Sequence, residues 1–342
     1  MRRRDTALAV LVAVLWGTNF VAIRTGLDSV PPLLFLAVRF VVVCVPAVFL
    51  VRRPALPWRD LALIGLFTSL GQFALMYVSL HLGMPPGLAS LVLQAQVLLT
   101  VVIAAVWLRE RPSAAQRVGV ALGGAGLLTI AAGRGLAAPL LPLVVLVLAA
   151  VSWAVGNVLT RRAGALGPGS GLGVVVWSGL VVPLPALALS LLLEGPDAIG
   201  HALTHVQWPA LVSTAYTAYL SSLVGYGIWN TLLARYPVAR VTPFAMLVPV
   251  FGMAAAGLVY AERPHPLELV GGVLLIGGVA VAVLRRRAAT PRSRKRVEDA
   301  SAVVPVDVEP AAGASGEPAD LVQLAPSHAA NATGAAGAAG AD

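Results

Sequence analysis

Arg39 is the one basic residue placed well inside an apolar run of spanning length, 32–51. A charge in such a place marks a site by default. Its planar fork can take a substrate carboxylate through two parallel hydrogen bonds. The competing reading is an anchor, because Arg39 lies about seven residues, roughly 10 Å by helical rise, from the outer end of its segment, a depth from which an arginine snorkels to the interface. Trp16 and Asn19 are three residues apart and Trp153 and Asn157 four apart, so in each pair an indole and an amide share one helical face. A buried amide must find a partner; substrate or water is one, a neighbouring helix the other. Gln94 and Gln96 point about 200° apart around a helix. Ser90 lies on the face of Gln94, and Thr100 on that of Gln96. We expect Gln94, Ser90 and Thr242 to face a cavity, Gln96 to pack on a neighbouring helix, and Gln72 to be the matching polar position of the third span. This is chemistry for a polar cavity at mid-depth. It is not catalysis: His81, His201, His205 and His265 fall in or beside loops without catalytic or metal spacing. There is no Walker A loop to hold a nucleotide, and no cofactor or metal is implied.

These side chains need walls, and composition says what the walls are. The 342 residues are 58% hydrophobic and 11% charged, with mean hydropathy +0.86, far from the soluble balance of about a quarter charged. The expectation is an all-α integral membrane protein. At about 20 apolar residues per crossing, charges and prolines divide the chain into ten spans: 6–24, 32–51, 61–81, 86–108, 116–133, 139–160, 170–193, 208–234, 237–261 and 266–284. Met-Arg-Arg-Arg before the first span resembles a signal start, but the stretch is of spanning length and lacks an Ala-x-Ala site, so it reads as a retained helix. Cys44, the single cysteine, reads as a small packing residue.

The net charge of +9 does not point to nucleic acid, because the arginines cluster at the ends of apolar runs. With the N-terminus inside, 20 of the 24 basic residues fall on cytoplasmic flanks, which places both termini in the cytoplasm of a multi-pass inner-membrane protein. After Leu284 the composition turns to a basic run and then to Ala, Gly and Pro, the expectation for a disordered cytoplasmic tail over 285–342.

Glu110-Arg111-Pro112 recurs as Glu262-Arg263-Pro264, and the same shift carries Pro85 onto Pro237, Gly119 onto Gly271 and Gly126 onto Gly278. Two repeats follow, 5–133 and 139–284. Five spans per repeat is an odd number, so the second enters from the opposite side and the repeats are inverted, the construction of transporters that rock about a central site. Gly119, Gly123, Gly124 and Gly126, echoed by Gly271, Gly272, Gly277 and Gly278, give the last span of each repeat a smooth side for close contact, within the chain or in a homodimer. Pro243 and Pro249 weaken the ninth span, making it a hinge or merely a bent packing element.

Trp16-Gly17-Thr18-Asn19-Phe20, Arg39-Phe40, Gly83-Met84-Pro85, the string from Gly87 to Gln96 and Gly225-Tyr226-Gly227-Ile228-Trp229 together resemble the EamA family of the drug/metabolite transporter superfamily. Within it the likeness is to bacterial exporters of O-acetylserine and cysteine, over about residues 5–284. The resemblance implies ten helices as two inverted five-helix repeats, cytoplasmic termini, and a central cavity lined from both halves. It adds Tyr226 to the candidate site of Trp16, Asn19, Arg39, Gln72, Ser90, Gln94, Trp153, Asn157 and Thr242.

The expected function is therefore secondary export of a small amino-acid metabolite by alternating access. The runner-up is export of another solute, such as a hydrophobic amino acid or a drug. The lack of a mid-span carboxylate argues against drug cations. An embedded enzyme lacks its catalytic cluster, and a purely structural protein leaves the duplication unexplained. The topology has a direct check: cysteines introduced at Gly83 and Gly200 react with an impermeant thiol reagent applied to intact cells, whereas those at Arg53 and Ser293 do not. Labelling of the second pair would reverse the orientation.

Overall fold

The computed structural model describes residues 1–137, 139–164 and 171–284. The expected tail, 285–342, lies outside the described residues. All regular structure among the described residues is helical. The long helices are α1 (Arg3–Gly26), α2 (Pro32–Leu50), α3 (Trp58–His81), α4 (Pro86–Trp107), α5 (Ala114–Ala137), α6 (Leu141–Arg162), α7 (Gly171–Leu193), α8 (208–235), α9 (Thr242–Tyr260) and α10 (Pro266–Leu284). Nine of them, among the described residues, are long and apolar enough to cross a bilayer. The exception is α8, expected as the eighth span. It is long enough, but Ser213, Thr214, Tyr216, Thr217, Tyr219, Ser221, Ser222 and Tyr226 lower its apolar character. Several of those hydroxyls are internally satisfied: Thr214 donates to the Ala210 carbonyl at 2.8 Å, Thr217 to Thr214 at 3.1 Å and Ser222 to Thr217 at 2.8 Å. Such back-bonding lets a polar helix sit among apolar neighbours.

Proline opens several of these helices, where its missing N–H costs nothing. The next free N–H groups are met from the other half of the chain. Glu194 accepts from Leu33 N at 2.7 Å and Leu34 N at 3.2 Å at the start of α2. Glu262 accepts from Gly87 N at 2.9 Å and Leu88 N at 3.1 Å at the start of α4. Two carboxylates therefore sit at positive helix ends, favoured by both hydrogen bonding and the helix dipole. Glu262 is thus anchored at the N-terminus of α4. Glu110 instead pairs with Arg161. At the α3 to α4 turn Gly83 adopts φ +94°, a conformation that favours glycine.

Packing follows the repeat. Exchanging α1–α5 for α6–α10 carries the contact of α1 with α9 onto that of α6 with α4, and that of α3 with α6 onto that of α8 with α1. The most extensive contact joins α5 to α10. A Cβ added at Gly126 would lie 2.6 Å from the Gly271 carbonyl oxygen, and one at Gly271 2.6 Å from that of Gly126. Gly119 meets Gly278 in the same reciprocal way, so the two helices run antiparallel. All of the eight glycines but Gly124 are thus met from within the chain.

Two pairs of helices are interrupted at matching depths. α3 has a π-helical segment, Gly65–Gly71, and α8 another, Tyr216–Val224. α4 breaks at Leu93 and Gln94, while α9 begins as a 3₁₀ segment, Thr242–Leu247, before continuing from Val248. The repeat shift carries Gln94 onto Met246, inside that segment. Pro249 cannot donate to the Ala245 carbonyl four residues back; the Val248 N–H donates to it, and so does Gln94 Nε2, at 3.2 Å.

Gly126→Leu should push α5 and α10 apart and destabilise the protein by about 1–3 kcal/mol, the usual cost of overpacking. Gly124, whose added Cβ would meet nothing within 4 Å, should tolerate alanine. Thermal unfolding of the two purified variants checks this, and an unchanged midpoint for Gly126→Leu would refute the close contact.

Candidate functional site

A cavity of about 230 Å³ lies between α2, α3, α6, α7 and α8. At about 30 Å³ per liquid water it has room for several waters or one small solute. From α2 come Arg39, Phe40, Val43 and Cys44; from α3, Thr68, Ser69, Gln72 and Phe73. Trp153, Asn157 and Thr160 come from α6, Val174, Val175 and Ser178 from α7, and Ser222 and Tyr226 from α8. It runs from the middle of α2 to Thr160 and Gly171, near the ends of α6 and α7 that face each other in the chain. Beyond Arg39 in the other direction Phe35 and Tyr77 are 1% and 0% exposed, with ring centroids 5.4 Å apart, and shut that side.

Arg39 dominates the site. It is 2% exposed, so it does not snorkel, and the anchoring alternative is set aside on geometry. Nη1 donates to Tyr77 Oη at 2.9 Å and Nη2 to Ser222 Oγ at 3.1 Å. The guanidinium carbon stands 4.3 Å from the Phe73 ring centroid and 5.7 Å from that of Phe40. Nε has no hydrogen-bond partner. Among the described residues no carboxylate lines the cavity or pairs with Arg39. The charge is therefore held by neutral dipoles and ring faces, which recover only part of the cost of removing it from water.

Arg39, Gln72, Trp153, Asn157 and Tyr226 share this cavity. Gln72 is 3% exposed and its side chain makes no hydrogen bond among the described residues. Asn157 Nδ2 donates to Gln96 Oε1 at 2.7 Å and to Thr100 Oγ1 at 3.2 Å. Gln96 thus packs on a neighbouring helix as expected, and Asn157 is at once helix glue and cavity wall.

The other five residues lie elsewhere. Trp16 donates through Nε1 to the Ser221 carbonyl at 3.0 Å and stacks behind Tyr226, centroids 5.1 Å apart. Asn19 is buried and its Oδ1 is unpartnered. The positions matching Gln96 and Thr100 are Val248 and Gly252, and there α1 presents Gly17. Ser90 donates to the Gly87 carbonyl at 2.7 Å and faces Gly252 rather than Thr242. Gln94 is spent on the Ala245 carbonyl, and Thr242 opens the 3₁₀ segment. The expected Gln94, Ser90 and Thr242 grouping is therefore not formed; the α4 to α9 seam absorbs it because a broken helix must cap its own carbonyls.

Sequence reasoning missed Thr68, Ser69, Ser178 and Ser222. For Ser222 the signal was available in the unusual polarity of α8.

Comparison with known proteins places this architecture. The model of the EamA-like transporter family matches residues 6–132 and again 140–284. The chain is 41% identical over 286 residues to a "Probable amino-acid metabolite efflux pump" of Salmonella typhimurium, covering 83% of this chain and 96% of that protein. A protein of the same name from Escherichia coli strain K12 is 39% identical over 291 residues, covering 84% and 97%. A "Probable terminal-alkyne amino-acid exporter" of Streptantibioticus cattleyicolor is 35% identical over 302 residues, covering 83% and 97%. One protein of known crystal structure superposes with a TM-score of 0.55 at 23% identity, over 84% of this chain and all of that one, which supports the fold. With both halves matched and two relatives near 40% identity, this multi-pass membrane chain belongs to the EamA-like transporter family.

Proposed function

We propose that the protein exports a small amino-acid metabolite of the cysteine or O-acetylserine kind by alternating access, and that Arg39 receives the substrate carboxylate. The observation that carries the reading is a buried guanidinium, without an anion among the described residues, beside a cavity of small-solute size. A carboxylate bound there would supply the missing charge and gain a charge-assisted hydrogen bond in a site shielded from water. The names of the relatives agree with this class of substrate.

The membrane frame of the proposal is ten spans, α8 included, with both termini cytoplasmic and the two five-helix repeats inverted. The antiparallel crossing of α5 with its counterpart α10 supports the inversion. In that frame the cavity reaches toward the cytoplasm through the ends of α6 and α7, while Phe35 and Tyr77 shut it from outside. Substrate is taken from the cytoplasm, closed over, and released outward as the repeats exchange their arrangements. The interruptions in α3 and α8 and in α4 and α9 are where such helices bend with least loss of hydrogen bonding. Gln72, Asn157 and Tyr226 contact the rest of the solute, and Trp153 forms an apolar wall. The relative named as a terminal-alkyne amino-acid exporter favours a second reading, a larger apolar amino acid lying against Phe40, Phe73 and Val174.

Pure protein in proteoliposomes should catalyse counterflow of labelled cysteine or O-acetylserine without ATP; a strict need for ATP would end the proposal. Leucine as competitor separates the two readings, since only the second predicts stronger inhibition by leucine than by cysteine. Arg39→Lys keeps the charge but loses the fork, and should raise the half-saturating concentration about tenfold, the size of one charge-assisted hydrogen bond. Asn157→Ala should lower transport per folded molecule, whereas Asn19→Ala should leave it unchanged and alter stability by no more than about 0.6 kcal/mol, the average of interhelical hydrogen bonds in membranes. Equal effects of the two asparagine variants on transport would contradict this assignment.

A further inference from the structure

The charge inventory of the cavity is one-sided. Arg39 contributes a full positive charge, and no aspartate or glutamate lines the space among the described residues. The chain between α6 and α7, 165–170, reads Ala-Leu-Gly-Pro-Gly-Ser and has no acid in its sequence. At the same ends of α3 and α6, Arg59 and Arg162 line a smaller hollow with Asp60 as their only acid. A substrate ammonium would therefore meet only neutral acceptors, with a like charge already present in a medium that screens poorly.

Two of the four aromatic side chains lining the cavity, Phe40 and Phe73, are also taken. The Arg39 guanidinium lies over Phe73 and beside Phe40, so those rings are not free to hold a second cation. The acceptors left are hydroxyls such as those of Thr68 and Thr160, whose protons go to the Ile64 and Gly156 carbonyls at 2.6 and 2.8 Å. Such oxygens can accept a hydrogen bond from an amine, an amide or water about equally well. They do not select for a positive charge.

We propose that this site recognises a carboxylate and not an ammonium, so that its ligand class is small carboxylates, with amino acids and their deaminated analogues held alike. This rests on the reading of Arg39 as the partner of the carboxylate. It goes beyond that reading in denying the amino group a role in affinity, and it predicts substrates that carry a net negative charge.

Three probes of one skeleton test it: cysteine, 3-mercaptopropionate, which is cysteine without its amino group, and cysteamine, which is cysteine without its carboxylate. All are kept reduced. Apparent dissociation constants come from ligand-dependent thermal unfolding of the purified full chain, and inhibition constants from counterflow in proteoliposomes. Cysteine and 3-mercaptopropionate should bind within about threefold of each other. Cysteamine should bind at least about tenfold more weakly, the loss expected for one charge-assisted hydrogen bond. If 3-mercaptopropionate is the one that falls by tenfold or more, or if cysteamine equals cysteine, or if no carboxylate binds, the proposal is overturned. Binding of 3-mercaptopropionate without any cysteine counterflow would discard the amino-acid exporter reading and leave this one standing; cysteine counterflow that 3-mercaptopropionate does not inhibit would do the reverse.

Discussion

Inside hydrocarbon every polar atom must be answered by the protein itself or by what the protein carries. The structure is organised around that requirement. The free N–H groups of α2 and α4 are answered by Glu194 and Glu262 across the chain, the carbonyl abandoned by Pro249 by Gln94 and the Val248 N–H, and the hydroxyls of α8 by their own helix. At Arg39, whose Nε is left without a partner, there is also a cavity. An uncompensated charge is tolerable in a transporter because a substrate can complete it for part of the cycle.

The duplicated plan explains both the symmetry of the packing and its lapses. Glycines let α5 and α10 approach with backbone against backbone, and the reciprocal pairing of Gly126 with Gly271 places each repeat's glycine face on the other's. The halves differ at the cavity. Sequence correspondence puts Trp177 where the first repeat has Arg39; its Nε1 donates to the Val51 carbonyl at 3.0 Å, so it serves as a structural tie. Asn157 keeps Gln96 and Thr100 as partners, while the Oδ1 of buried Asn19 has none. The copies thus share a frame while only one carries the charge.

The interruptions belong to the same logic. A straight helix satisfies its backbone and resists bending; a π-helical or 3₁₀ stretch gives up some of that regularity. Here the irregular stretches occur in pairs related by the repeat, and Ser222, which holds Arg39, lies in one of them. Movement of that stretch and the geometry of the guanidinium are consequently coupled through a single 3.1 Å contact.

Composition, periodicity and the internal repeat were enough to determine a polytopic helical protein built as two repeats, because bilayer thickness converts directly into segment length and a duplication is visible without coordinates. They also singled out Arg39, since a charge within an apolar run has few explanations. They also read α8 as a span despite its hydroxyls, several of which bond to their own backbone. What only the tertiary structure decided is which polar side chains meet. Ser90, Gln94 and Asn19 were as plausible from spacing as Gln72 and Asn157, but spacing fixes a face of one helix and not the helix opposite. The broken seam of α4 and α9 claimed Gln94 and Ser90, and Asn19 is buried with its Oδ1 unpartnered. Likewise the depth of Arg39 allowed either a snorkelling anchor or a buried charge, and the choice fell to Tyr77, Phe73 and Ser222, three residues from two other helices that no local pattern connects to it.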